Sequence, residues 1–321
     1  MGPKHKKIRK KVPISVFETE TTSDPALHRK SYASGSVLPR SRIRQTNRPV
    51  VSRKITQSTI TRFHILLKQQ AAIRKKISIQ SPENDNATLN SLETSLAAVE
   101  QEMEDLGGLK AYQNASTLGQ SNERGGDSSK VLIKWLRGLG LKQEAISRSS
   151  KLRMLEIGAL TPGNYSSSSN WIDNHPIDLH SQHPDIAEQD FFVRPIPTAV
   201  TEAFDIVSCS LVLNFVSSAP ERGKMLSLIH DQLKPTPQSL LFLVLPLPCL
   251  VNSRYLSIDS FKDLMRIVGF TLEQEHWKPG GKVGYWLWRW AEKDDRGSER
   301  WGRKLVEKDG PKKNNFAVVL P

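Results

Sequence analysis

Hydrophobic positions first become regular near Thr56 and stay helical to about Lys76, with Ile60, Phe63 and Leu67 on one face. A break at Ser81, Pro82 and Asn84 follows. Leu89, Leu92, Leu96, Val99, Met103 and Leu106 then recur at spacings of three and four. Two neighbouring stripes of this kind predict an antiparallel helical hairpin, which Gly107 and Gly108 end. Residues 107–127 are polar and contain several glycines, and read as a connector. Asp127 or Ser128 caps a further helix carrying Val131, Leu132, Trp135, Leu136 and Leu139.

Beyond that the pattern changes. Lys151–Ile157, Ile177–Leu179, Phe204–Cys209 and Leu240–Leu245 are short apolar runs of strand length. Helical stretches at Pro220–Gln232 and Ile258–Val268 lie between some of them. Apolar strands alternating with helices predict a parallel sheet covered on both faces. Val283–Trp290 and Asn315–Leu320, rich in aromatic and branched residues, are expected as antiparallel strands at the far edge of that sheet. The chain thus divides into residues 1–54, a helical hairpin with its connector over 55–127, and an α/β domain over 128–321.

Composition changes the picture mainly through charge. Residues 1–54 hold 14 Lys/Arg against 3 Asp/Glu, a net +11 of the chain's +13, so the other 267 residues carry +2. The segment has no periodicity and is expected to be disordered alone. A basic arm on a nearly neutral body suits a polyanion such as RNA, or nuclear import; a merely solvated tail is the plain alternative. No apolar run approaches the ~20 residues of a membrane span. The start, MGPKHKKIRKK, has no apolar run behind it and does not resemble a secretory signal. Cys209 and Cys249 offer neither a disulfide framework nor metal spacing, so a reducing compartment and no metal are expected.

The chemistry concentrates after the first strand. Gly158 follows Met154-Leu155-Glu156-Ile157, where a residue without Cβ lets the backbone turn and approach a ligand. There is no G-x-G-x-x-G, which argues against a dinucleotide. Asp178 ends the Ile177–Leu179 run about 20 residues later, where an acid can accept from ribose hydroxyls. Asp173 competes for that role, and the spacing favours Asp178. Asp190 can accept from an adenine amine, with Phe191 beside it to cover the ring. The order of glycine, ribose acid, adenine acid and apolar strand suits S-adenosylmethionine. Glu156 has two open roles, contacting the cofactor's amino group or orienting the loop. Asp205 starts a strand and reads as structural. The serine run within Tyr165–Asn170 leaves room only for a short or distorted first helix. After the fourth strand the chain reads Ser208-Cys209-Ser210-Leu211-Val212-Leu213-Asn214-Phe215, with none of the (Asp/Asn)-Pro-Pro-aromatic tetrad that grips an exocyclic amine. Methylation of a ring nitrogen with an in-plane lone pair needs no base, only positioning of an unpaired base. Asn214, Phe215 and Pro246-Leu247-Pro248 are placed to line such a pocket.

These segments resemble the fungal methyltransferases that modify adenine N1 in large-subunit (25S) ribosomal RNA. The resemblance rests on Ile60–Leu67 (ITRFHILL), Gly107–Gln120 (GGLKAYQNASTLGQ), Arg124–Lys130 (RGGDSSK), Leu155–Gly158 (LEIG), Ile177–His183 (IDLHSQH), Gln189–Phe191 (QDF), Phe204–Phe215 (FDIVSCSLVLNF), Glu221–Met225 (ERGKM) and Gly310–Leu320 (GPKKNNFAVVL). It implies a class I (Rossmann-like) methyltransferase fold with a helical extension and a basic tail. It implies S-adenosylmethionine as cofactor, held by Gly158 and Asp178, and large-subunit rRNA or a pre-ribosomal particle as partner in the nucleolus. It also makes the 107–130 connector part of the cofactor or substrate pocket. The Leu160–Asn170 loop departs from the family pattern. Animal relatives with the same domain are non-catalytic S-adenosylmethionine sensors, which have no use for an RNA arm. A sensor and a small-molecule methyltransferase are therefore the alternatives.

Overall fold

The computed structural model describes residues 53–79, 86–120 and 128–321. Residues 1–52 of the basic arm, the break at Ser81, Pro82 and Asn84, and the expected cap Asp127 lie outside the described residues. Five helices come first: α1 (Arg53–Ile79), α2 (Asn86–Asp105), α3 (Gly108–Gln120), α4 (Ser128–Gly138) and α5 (Leu141–Ser147). The five stripe residues of α2, and Leu106 just after it, are all half-buried, while Phe63 and Leu66 of α1 are buried. Arg62 meets Glu102 across α1 and α2, and Arg74 and Gln70 meet Glu100. Such exposed pairs add little stability; the apolar seam carries the packing.

The region expected as a connector is largely helix. α3 presents Tyr112, Gln113 and Ala115 inward despite its glycines and polar residues.

Seven strands follow: β1 (Leu152–Ile157), β2 (Ile172–Asp178), β3 (Ala187–Glu188), β4 (Ile206–Ser210), β5 (Leu240–Pro246), β6 (Phe270–His276) and β7 (Val283–Trp290). Their order is β3-β2-β1-β4-β5-β7-β6, with β7 antiparallel to both its neighbours. This is the class I methyltransferase arrangement that the sequence pattern implied. Alternation along the strands sorts the core into two layers. Leu155, Ile157, Val207, Cys209, Leu241, Leu243 and Leu245 face one layer, against α6 (Ala219–Gln232) and α8 (Ile258–Val268). Met154, Ile206, Leu240, Phe242 and Val244 face the other, with Leu132 and Leu136 of α4 and Ala145 of α5. A short helix, α7 (Pro248–Val251), follows β5.

Two expectations fail here. β7 is not at the sheet's edge: β6, which the sequence pattern did not reveal, pairs outside it. Residues 315–320 form no strand. They run as an irregular segment whose backbone is held by Ser253 Oγ to Phe316 O (2.6 Å), Arg222 Nη1 to Ala317 O (2.7 Å) and Val319 N to Ala219 O (3.0 Å). Gly223 makes this possible, because a Cβ there would sit 1.9 Å from Val319 O. Asp173 sits at the beginning of β2, and Asp178, which the spacing favoured, at its end. The loop between β1 and β2 contains only a short 3-10 turn (Ser166–Ser168), as the serine run suggested. Among the described residues no helix is long and apolar enough to cross a membrane, and no cluster of three metal-ligating side chains occurs.

Candidate functional site

The carboxyl ends of β1, β2, β4 and β5 form one rim of the sheet, where ligands of parallel α/β folds bind. Gly158 leaves β1 with φ +74°, and its N–H donates to Ile177 O at 2.8 Å. A Cβ on Gly158 would lie 2.4 Å from Cγ2 of Val212 in the loop after β4. The backbone is therefore packed as closely as a residue without a side chain allows. Such a cradle fits a ligand that approaches the main chain itself, as the amino-acid part of S-adenosylmethionine would.

Register pairs Ile157 with Ile177, which puts Asp178 level with Gly158 across the β1–β2 edge. Its Oδ1 accepts from His180 N at 2.9 Å. Burial pushes the Asp178 carboxyl above its ordinary value, against the pull of the His180 amide. Asp173, the competitor, is exposed at the far end of β2 beside His175 (2.9 Å). Gln189 N donates to Asp178 O at 2.9 Å, which brings the next segment to the same edge. There Asp190 caps a 3-10 turn, Phe191–Val193, by accepting from Phe192 N (2.8 Å), and Phe191 is buried in the cavity wall. Gly158, Asp178, Asp190 and Phe191 thus border one cavity.

Glu156 is the buried orienter of this region. Its two carboxylate oxygens accept from Asn164 Nδ2 (2.6 Å) and Asn174 Nδ2 (2.7 Å), which fixes the loop after β1 to β2. Asp205 is structural, as expected: it accepts from Arg153 N (2.8 Å) and Lys234 Nζ (2.6 Å) where β1 and β4 begin.

The cavity measures about 2180 Å³. That exceeds the roughly 300–1,000 Å³ of an ordinary small-molecule site and leaves room for a second reactant. Its other wall begins at Leu211, whose φ of +58° is strained for a residue with a side chain. The turn lifts Val212, Asn214 and Phe215 off the end of β4 into the cavity lining. Asn214 is buried, and its Oδ1 has no hydrogen-bond partner. Tyr112 of α3 meets Phe215 edge-on (5.5 Å, 70°) and stacks on Phe63 of α1 (4.8 Å, 15°). Ser128 Oγ of α4 lies 2.8 Å from Ser210 Oγ of β4. Asn314, Asn315 and Phe316 of the carboxy-terminal segment close the remaining side. The 107–130 connector lines the cavity through Leu109, Tyr112, Gln113 and Ser128, as the resemblance implied; sequence reasoning missed the aromatic contact of Tyr112, Phe63 as its partner, and the 314–316 wall. The Leu109–Tyr112 spacing was the available signal for α3.

A family model described as "25S rRNA (adenine(2142)-N(1))-methyltransferase, Bmt2" matches residues 97–318. The chain belongs to the Bmt2 family. A Saccharomyces cerevisiae relative, the 25S rRNA (adenine(2142)-N(1))-methyltransferase, is 34% identical over 82% of this chain and 72% of its own length. A Schizosaccharomyces pombe 25S rRNA adenine-N(1) methyltransferase is 39% identical over 68% of this chain and 79% of its own. Among solved structures, the N-methyltransferase NodS of Bradyrhizobium japonicum with bound S-adenosylhomocysteine aligns over 49% of this chain and 86% of its own, at 14% identity and TM-score 0.33. The 1,6-didemethyltoxoflavin N1-methyltransferase of Burkholderia thailandensis aligns over 67% and 94%, at 13% identity and TM-score 0.37. The Bmt2 match spans the Gly158–Asp178 edge, the Tyr112 helix and the 314–316 wall together.

Proposed function

We propose that this chain is an S-adenosylmethionine-dependent methyltransferase acting on N1 of one adenine in 25S rRNA. The observation that carries this is a single cavity. The Gly158–Asp178 edge and the Phe215–Tyr112 wall open into it, within the region shared with the Bmt2 family. When bound, S-adenosylmethionine supplies an electrophilic methyl group on a sulfonium.

The chain's own residues do the rest by placement. Gly158 admits the amino-acid part of the cofactor against the main chain. Asp178 accepts from the ribose hydroxyls, Asp190 from the adenine amine, and Phe191 covers the ring. On the acceptor side, N1 of adenine becomes accessible only when the base leaves its pair and stack. Phe215, with Tyr112 behind it, offers an aromatic surface for the displaced base. The N1 lone pair lies in the ring plane and carries no proton, so no side chain has to remove one. This fits a wall that contains no (Asp/Asn)-Pro-Pro-aromatic tetrad. The basic arm of residues 1–54 would add sequence-independent RNA affinity and favours a nucleolar place of action.

The test is transfer of a labelled methyl group to 25S rRNA from cells lacking this protein, followed by nucleoside analysis. One new N1-methyladenosine, absent with Gly158→Arg, is the expected result. Tight S-adenosylmethionine binding with no transfer to that RNA would overturn the reading in favour of a sensor.

A further inference from the structure

Arg222 lies in the first turns of α6, is 4% exposed, and borders the cavity. A buried guanidinium normally faces a carboxylate. Here Nη1 donates to Ala317 O (2.7 Å) and Nη2 to Ser217 O (3.2 Å), and the group lies 4.6 Å over the Phe316 ring. These contacts hold the group in place without setting a carboxylate against it. Nε has no partner at all. The adjacent carboxylate, Glu221, is committed to the α6 cap through Ser217 and Ser218. Among the described residues Arg222 forms no ion pair.

A second cation comes from α1. Lys68 of α1 borders the same cavity and likewise forms no ion pair among the described residues. The residue as a whole is exposed, and its ammonium is depressed first by desolvation on the side that meets the cavity and then by the charge of Arg222. Cys249 stands near both, but burial pushes its thiol up to about 11, so it stays neutral and cancels neither charge. Two like charges that face one cavity, neither of them ion-paired among the described residues, leave a place for an anion brought by a ligand.

We infer that Lys68 and Arg222 form a phosphate-binding subsite for the substrate RNA, engaging a phosphodiester beside the adenine that enters the cavity. This rests on the proposed rRNA reading. Arg222 is the fixed charge, set into the protein by the carboxy-terminal segment. Lys68 is the adjustable donor, on the helix that also carries Phe63. The Arg222 helix follows the Val212–Phe215 wall, not the Gly158–Asp178 edge. That assigns the subsite to the RNA and not to the methionine carboxylate of the cofactor. One nucleotide is then held twice, its base against Phe215 and its phosphate at Lys68.

Lys68 is the residue to test, because Arg222→Ala would also release the carboxy-terminal segment. Full-length wild type, Lys68→Ala, Lys68→Glu and Lys68→Arg are titrated with a labelled 25S rRNA fragment spanning the target adenine, at several salt concentrations. Lys68→Ala should weaken binding by roughly tenfold at low salt and lower the log–log salt slope by about 0.7–1, the share of one phosphate contact. Lys68→Glu should weaken it further, and Lys68→Arg should restore most of it. KM for the RNA should rise while kcat holds. Lys134→Ala, at an exposed position of α4 that does not line the cavity, controls for loss of any one surface charge. An unchanged slope and KM in Lys68→Ala would overturn the subsite. So would a loss of S-adenosylmethionine affinity by calorimetry, since that would give the pair to the cofactor carboxylate. A wild type that binds the fragment but transfers no methyl would sink the enzymatic reading alone, because the salt slopes remain readable.

Discussion

Gly158→Ala tests the cofactor edge most directly, because two separate penalties meet at that one Cβ. The backbone there is left-handed at φ +74°, which an L-residue with a side chain adopts at a cost of roughly 1–2 kcal/mol. The new methyl would also lie 2.4 Å from Val212 Cγ2. Relief requires Val212 to leave its rotamer, for roughly 0.5–1.5 kcal/mol more. The single variant should therefore lose about 2–3 kcal/mol. In a unit of this size that is roughly 5–10 °C in melting temperature. Val212→Ala on its own removes two methyl groups from a partly buried site and should cost about 1 kcal/mol. In the double variant the collision is gone but the left-handed strain remains. The two substitutions should then couple favourably by about 1 kcal/mol, within the range expected for residues in contact. Urea unfolding of the four proteins measures the cycle. Cofactor calorimetry should show Gly158→Ala weaker by at least about tenfold, with the double variant only partly recovered, because the loop amides stay displaced. Simple additivity of the two variants would refute the steric argument, and full stability of Gly158→Ala would refute the backbone argument as well.

Asp178→Asn keeps an acceptor for His180 N but loses the charge that strengthens hydrogen bonds to ribose hydroxyls. At roughly 1.5–3 kcal/mol for a bond to a charged group, cofactor affinity should fall about ten- to a hundredfold with no change in fold; equal dissociation constants would give the ribose to another residue. Burial raises the Asp178 pKa and the ionised form is the better acceptor, so affinity should decline as pH falls through that raised value. The decline should begin above the ordinary carboxylate range and be absent in Asp178→Asn; a wild-type profile flat into that range would contradict it. Gly223→Ala adds about 1 kcal/mol of helix propensity but drives a methyl against Val319 O, so the 316–319 segment must lift and expose Phe316 and Val318. The net effect should be a loss of about 2 kcal/mol or more by urea unfolding, and an unchanged or raised midpoint would mean that the segment is not held there. Tyr112→Ala removes the ring between Phe63 and Phe215 and should raise KM for RNA several-fold while sparing the cofactor Kd, whereas a change confined to the cofactor would move α3 to the other half of the site.

The parts legible in the sequence are those in which burial and local pattern agree. β4 and β5 are buried on both faces, so they read as unbroken apolar runs whatever lies around them. Gly158 and Asp178 were found because a backbone turn and an acid at a strand end follow from the βα geometry itself. β6 was missed for the opposite reason. Its sequence, FTLEQEH, is polar and largely exposed, and its pairing with β7, interrupted at Leu272 and Gln274, holds it in place. Residues 315–320 misled because branched apolar residues report burial, not pairing. Their burial comes from α6 and Ser253, and the backbone partners are an arginine, a serine and the start of a helix. α3 was hidden by its composition: a helix that buries few side chains needs no broad apolar stripe. The pair Lys68 and Arg222 lies 154 positions apart, and no local pattern could have joined them.

The missed elements are not scattered. α3 and the 314–316 wall, together with α1, are the parts that add further walls to the Gly158–Asp178 edge. A nucleoside-type cofactor needs little more than the ends of β1 and β2 and the turn at Asp190, all set by local rules. An RNA base drawn out of its stack needs a surface to replace that stack and a charge to hold the backbone. Phe215 has to be backed by Tyr112, and Tyr112 by Phe63, before the surface is rigid. Arg222 has to be immobilised by a segment almost a hundred residues further along the chain before it can stand buried without an ion-pair partner. Specificity for the acceptor is therefore assembled from tertiary contacts alone. The helical extension and the carboxy-terminal segment are accordingly where substitutions should change RNA recognition while leaving cofactor binding intact.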